Sequence, residues 1–146
     1  MKDFIGEMLG TFVLILFGCS SVAVAVLFNE YNSIFQIGMV WGLAVTLSVF
    51  LTRRPSSDMQ PLFIGLTVSS IIFFVAPITQ CGLNPARDFG PRLVAYFAGW
   101  GDAALPDSVG GWFWVYILAP IVGASIAAVF FKYVLEPINE KKNHNS

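Results

Sequence analysis

Charge is scarce in this chain. Only 12% of its 146 residues are Asp, Glu, Lys or Arg, about half the roughly 25% of an ordinary soluble domain. Histidine is scarcer still: His144, in the polar tail, is the only one. A histidine-based catalytic or metal site therefore has almost no material. The remaining ionisable residues are too scattered to assemble a nucleophile–base pair or a ligand cluster, so neither an enzyme nor a cofactor is expected. There are two cysteines, Cys19 and Cys81, in apolar or Gly-rich surroundings, and nothing else suggests a secreted disulfide scaffold. A formal net charge of −1 argues against a nucleic-acid partner.

What is abundant is apolar surface. Hydrophobic residues make up 56% of the chain, the mean hydropathy is +0.73, and the apolar residues gather into long runs. A soluble core of this length has no way to hide so much of it. A spanning helix needs about 20 largely apolar residues, and four stretches qualify or nearly so: 4–28, 34–51, 61–75 and 113–135. Lys2 and Ala23-Val24-Ala25 outline a signal peptide around the first. Its apolar run is too long for one, and Glu7 is out of place there. Ser33 suits the cap of the second helix, Pro61 suits the first turn of the third, and Ala76-Pro77 is expected to end the third. Gly6-x-x-x-Gly10 and Gly38-x-x-x-Gly42 have the spacing that lets helices approach closely in lipid.

The basic residues orient these spans. Lys2, Arg53, Arg54, Lys132, Lys141 and Lys142 all fall on one side of a four-span chain, which the positive-inside rule makes cytoplasmic. Glu30, Asp102 and Asp107 fall on the other, with Trp100, Trp112, Trp114 and Tyr116 as an interfacial belt. Both termini, including the tail 136–146, are therefore expected in the cytoplasm of a multi-pass plasma-membrane protein.

Residues 76–101 fit neither a span nor a plain loop. Asn84-Pro85 is a strong helix start, with asparagine as N-cap and proline at the first helical position. Asp88 in the first turn complements the helix dipole. A helix from Asn84 to Phe97 is roughly 20 Å long, enough to reach the midplane but not to cross. The economical reading is a re-entrant half-helix over about 76–97, entered by an irregular stretch from Pro77 to Leu83. Such backbone is tolerated at membrane depth only where it is buried in protein or lines a cavity. Carbonyls from Thr79 through Leu83 then form acceptors along a pore, and Asn84 turns its NH₂ group toward the permeating molecule. Arg87 becomes a fixed cation that repels protons and other cations. The rival reading is an amphipathic surface helix with Arg87 and Arg92 snorkelling. Trp41, near the middle of the second span, either packs in the bundle core or narrows the pore.

The run Asn84-Pro85-Ala86-Arg87-Asp88-Phe89-Gly90-Pro91-Arg92 resembles the second pore loop of the aquaporin and glycerol-facilitator family. Phe4-Ile5-Gly6-Glu7 with Gly10-Thr11-Phe12 resembles that family's first helix, and Val40-Trp41-Gly42-Leu43-Ala44-Val45 its second. Pro61 to Val75, Gly99-Trp100-Gly101 and Ala119-Pro120-Ile121-Val122-Gly123-Ala124 resemble its later part. The family has six spans and two inverted half-helices, each with an Asn-Pro-Ala tip. Here one Asn-Pro-Ala exists. The chain passes from Thr52 to Gln60 where the first pore loop and the third and fourth spans are expected. That block begins and ends on the cytoplasmic side, so the remaining spans keep their orientation.

The resemblance implies an all-α membrane protein: a partial aquaporin-like bundle of four transmembrane helices plus one re-entrant half-helix. It implies passive conduction of small neutral solutes, glycerol-like polyols and water. Trp41, Ile72, Cys81, Asn84, Pro85, Ala86 and Arg87 match pore positions. Glu7 matches the buried glutamate that braces the pore loops, and Asp88 a support of the same loop. Trp41, Arg87, Asp88 and Arg92 are of the glycerol type. Cys81 is commoner in water channels, and Ile72 fits neither class. The implied partners are the lipid bilayer and either further copies, as in the family's tetramers, or a chain supplying the missing half-helix. The alternative is a non-conducting deletion remnant, or one part of a split channel.

Overall fold

The computed structural model describes residues 2–30, 33–52, 59–105, 110–138 and 140. They form helices, four of which are long and apolar enough to cross a membrane. We number the elements α1 (Lys2–Phe28), α2 (Ile34–Thr52), α3 (Gln60–Thr79), α4 (Pro85–Ala95) and α5 (Gly111–Ile138). The chain folds as two compact units, Met1–Cys81 and Gly82–Ser146. Arg53, Arg54, Asp107, Lys141 and Lys142, on which part of the orientation reading rests, lie outside the described residues, as does His144.

The first unit is an antiparallel three-helix bundle with α2 in the middle, packed on α1 and on α3. Both glycine motifs lie in its seams. Gly6 and Gly10 face Thr52, where a Cβ would stand 3.3 Å from the Thr52 carbonyl and 3.0 Å from its hydroxyl. Gly42 and Gly65 bring the α2 and α3 backbones together so closely that a Cβ on either would overlap the facing helix. Two buried serines add cross-helix hydrogen bonds: Ser48 Oγ donates to Gly10 O (2.9 Å) and Ser69 Oγ to Gly38 O (3.0 Å). In a membrane each is worth about 0.6 kcal/mol, and such bonds reach about 1.7 at most. Thr46, Thr52, Thr67 and Ser70 instead donate to carbonyls one turn back in their own helices, so these four hydroxyls do not meet lipid unsatisfied. Phe12, Leu27, Phe63 and Phe74 stay exposed, as befits helices solvated by acyl chains rather than water.

The third helix is longer than the sequence suggests. Ala76-Pro77 does not end it; the helix continues to Thr79. Pro77 removes one donor, but it sits in the last turn, where a single bond is lost and the following residues close the end. Gln80 adopts a left-handed conformation (φ 58°) and donates its N–H to Ala76 O (2.8 Å), and Cys81 follows at φ 54°. The irregular stretch is accordingly shorter than 77–83, and Thr79 belongs to the helix.

In the second unit α4 ends at Ala95, two residues before the expected Phe97. A π turn over Tyr96–Trp100 follows, broken at Gly99 (φ 107°), and then a 3₁₀ turn over Gly101–Ala104. Positive φ at Gly99 and Gly101 lets the chain reverse at a place where L side chains are strained. The last helix starts at Gly111 and runs to Ile138, beyond the expected 113–135, because Glu136-Pro137-Ile138 still holds helical backbone. It contains π turns at Trp114–Leu118 and Phe131–Leu135. Phe89 of α4 stacks on Trp112 of α5, with ring centroids 5.8 Å apart and planes 1° from parallel.

Candidate functional site

Three of the residues expected at a pore meet in the first unit. Trp41 from α2, Ile72 from α3 and Cys81 from the turn after α3 form one buried apolar cluster, with Leu14, Cys19, Ile37 and Val68 packed against it. Trp41 is only 5% exposed. Gly18 of α1 makes room for its indole: a Cβ there would stand 2.5 Å from three ring carbons. A tryptophan in mid-span is thus accommodated by a missing side chain opposite. Gly38 plays the same part for the Phe73 ring. Glu7 lies on α1 with its side chain exposed.

The other expected residues form the tip of α4 in the second unit. Asn84 is extended (φ −128°, ψ 110°), and its Oδ1 accepts from the Ala86 N–H (3.0 Å) and the Arg87 N–H (3.2 Å). This is the N-cap that asparagine before proline predicts, worth about 1 kcal/mol. Because Oδ1 serves the helix, Nδ2 is the donor end of this side chain. Asn84 and Ala86 are exposed, whereas Pro85 and Arg87 are half-buried. The tip therefore gathers positive potential from three sources: the helix N-terminus, the Arg87 guanidinium and the asparagine NH₂.

Asp88 does more than complement the dipole. It is buried, and both its oxygens accept from Arg92, Nε to Oδ2 at 2.7 Å and Nη2 to Oδ1 at 3.2 Å. Arg87 Nη1 stands 3.7 Å from the same Oδ1. The remaining Arg92 nitrogen, Nη1, donates to Ala104 O (3.0 Å), and the guanidinium carbon lies 5.2 Å from the centre of the Tyr116 ring. Arg92 is thus folded onto protein partners rather than simply extended. The sequence reading missed this fork, although Asp and Arg four apart on a helix are the spacing that signals it. A cavity of about 230 Å³ adjoins it, walled by Phe89, Leu93, Tyr96, Phe97 and Trp112.

Taken together, these features define a multi-pass helical membrane protein that carries a half-length helix capped by Asn-Pro-Ala. The sequence profile described as "Major intrinsic protein" matches residues 51–131, more than half of the chain, and the chain belongs to that family. It is 44% identical over 101 residues to the propanediol uptake facilitator PduF of Citrobacter freundii, covering 66% of this chain and 36% of that protein. It is 33% identical over 131 residues to a glycerol uptake facilitator protein of Pseudomonas aeruginosa, covering 79% of this chain and 46% of that one. The Escherichia coli glycerol uptake facilitator protein is 36% identical over 101 residues, 66% of this chain and 35% of that one. The chain thus spans between about a third and a half of the length of these relatives. No solved structure matches it.

Proposed function

We propose that the protein is a passive channel of the plasma membrane for small uncharged solutes, foremost three-carbon polyols such as glycerol and propanediol, with water. It performs no chemistry on them and uses no cofactor. The observation that carries this is the Asn84–Arg87 tip, where the cap takes up Asn84 Oδ1 and the NH₂ end of the side chain is the donor for hydroxyl groups. The family resemblance assigns Trp41, Ile72 and Cys81, clustered in the first unit, to the apolar lining of a pore, and small polyols have the carbon backbone that such a lining suits. Pro85 and Ala86 form the tip, and Asp88, buried in its first turn, supports it. The fixed positive field disfavours cations and protons. Both termini lie in the cytoplasm.

Swelling of proteoliposomes in glycerol, propanediol and water tests the channel. Glycerol flux well above that of empty vesicles, with a changed solute preference in Arg87→Val, supports it; flux equal to empty vesicles refutes it. Ser57→Cys and Asn143→Cys, with both native cysteines replaced by alanine, test the orientation, since labelling of either from outside intact cells overturns it.

A second reading is favoured by one fact: a single Asn-Pro-Ala stands where the family resemblance implies two. The chain would then be a non-conducting deletion remnant, or one part of a channel completed by a different chain that supplies the absent loop and spans. Glycerol flux through the purified chain alone excludes it. A neighbouring reading frame that encodes the missing block supports the split form.

A further inference from the structure

The cavity of about 230 Å³ beside α4 has no part in the channel reading. Its apolar wall comes from a chain that turns back on itself. Phe89 and Leu93 belong to α4, Tyr96 and Phe97 to the π turn, Leu105 follows the 3₁₀ turn, and Trp112 opens α5. The Phe89–Trp112 stack fixes one side. Phe97, another wall residue, is 80% exposed, so the cavity opens to the surroundings of the protein instead of lying sealed inside. Trp112 is the second residue of a 28-residue span, Gly111–Ile138, and tryptophan at the end of a span marks the head-group level. The opening therefore lies where acyl chains meet lipid head groups. An apolar void of about 150 Å³ already admits benzene and excludes water, so this one has room for part of an acyl chain.

Filling the void with a chain gains dispersion contacts but little selectivity, because acyl tails are as apolar as leucine. Selectivity resides in the two charged residues of the wall, Arg92 and Asp102. Arg92 Nη1 donates to Ala104 O (3.0 Å), at the end of the same 3₁₀ turn that carries Asp102, and this bond keeps the two charges close. Nε and Nη2 of Arg92 are engaged by Asp88. A guanidinium has five N–H donors, and the two left over meet no acceptor among the described residues. The Asp102 carboxylate likewise pairs with no cation among them; only its backbone carbonyl is used, by the Leu105 N–H (3.0 Å). A donor pair and a carboxylate thus border one apolar chamber at head-group depth. We propose that this cavity binds one phosphatidylethanolamine molecule: an acyl chain fills the chamber, the phosphate accepts from Arg92, and the primary ammonium donates to Asp102. A phosphatidylcholine head fits less well, since its methylated nitrogen has no hydrogen to give a carboxylate. A phosphatidylglycerol head brings its negative phosphate to Asp102 with no ammonium to offset the repulsion.

The site is independent of the channel reading, and its test needs no transport. The full chain is placed in phosphatidylcholine nanodiscs with a small, equal fraction of phosphatidylethanolamine or phosphatidylcholine that carries a diazirine on the same acyl chain. After photolysis, labelled peptides covering 89–112 are quantified by mass spectrometry. The ethanolamine lipid should label this segment about tenfold more than the choline lipid, the factor carried by one charge-assisted hydrogen bond. Unlabelled phosphatidylethanolamine should compete with it, and phosphatidylglycerol should not. Asp102→Asn keeps the side-chain size and the backbone bond to Leu105, and there the two lipids should label alike. Leu93→Trp fills the chamber and should lower labelling by both several-fold; if that variant does not fold, Leu105→Phe carries this arm. Equal labelling by the two lipids in wild type overturns the proposal and leaves only the ordinary lipid annulus. So does a preference that survives Asp102→Asn, labelling undiminished by the filled chamber, or competition by phosphatidylglycerol as strong as by phosphatidylethanolamine.

Discussion

Replacing Gly42 by alanine should force α2 and α3 apart. A Cβ there would stand 2.6 Å from the Gly65 carbonyl oxygen and overlap the Ser69 hydroxyl. Close carbon–oxygen contacts between helices normally rest near 3.3–3.6 Å, so the backbones must separate by about 0.7–1 Å. The hydroxyl can rotate away; the carbonyl cannot. Such overpacking costs about 1–3 kcal/mol, and the Ser69–Gly38 hydrogen bond (3.0 Å) is stretched as well, adding about 0.6 kcal/mol. The expected destabilisation is thus about 2–4 kcal/mol. The measurement is reversible unfolding of the full chain in mixed micelles by added SDS, followed by tryptophan fluorescence, with Trp41 in the same bundle. Gly123→Ala is the control: nothing lies within 4 Å of a Cβ at that position, and a helical Gly-to-Ala change is neutral or stabilising by about 0.5–1 kcal/mol. If Gly42→Ala unfolds within about 0.5 kcal/mol of wild type, or the two variants behave alike, the close glycine seam is not what holds α2 to α3.

Two further outcomes follow from single hydrogen bonds. Asn84→Ala removes the acceptor for the Ala86 and Arg87 amides and should destabilise the start of α4 by about 1 kcal/mol; hydrogen exchange at those two amides should quicken about fivefold, and unchanged protection would count against the cap. Ser48→Ala and Ser69→Ala each remove one cross-helix bond, to different helices, and should cost about 0.6 kcal/mol each and add in the double variant; marked non-additivity in SDS unfolding would show that the two seams are not independent.

The elements were legible in sequence for physical reasons that also explain what was not. Long apolar runs have one outcome in lipid, so α1 and α2 begin and end close to where hydropathy places them. The Asn84-Pro85 start of α4 was legible because two independent preferences, an amide cap and a fixed φ, coincide on adjacent residues. Pro77 misled because its effect depends on how many donors follow it, and the left-handed Gln80 and Cys81 have no glycine to announce them. Gly99 and Gly101 truncate α4 through backbone conformation that the apolar run Leu93 to Phe97 conceals. For the site, the gathering of Trp41, Ile72 and Cys81 needed the packing of α2 on α3, which no local pattern contains. The role of Arg92 was half-visible as an i,i+4 pair with Asp88, but its bonds to Ala104 and Tyr116 depend on a reversal and a π turn downstream.

The central place of α2 has a consequence for the order of assembly. Synthesis delivers helices from the N-terminus, so α1 and α2 can pair as a hairpin through Gly6, Gly10 and Ser48 before α3 exists. During that interval the opposite stripe of α2, Gly38 and Gly42, is already membrane-embedded and vacant. It presents an uncovered backbone track, the kind of surface to which any passing small-residue helix adheres. Arrival of Gly65 and Ser69 closes the track. The interval between insertion of α2 and insertion of α3 is therefore when the nascent chain is most open to the wrong neighbour, and anything that lengthens it widens that exposure in time rather than in energy.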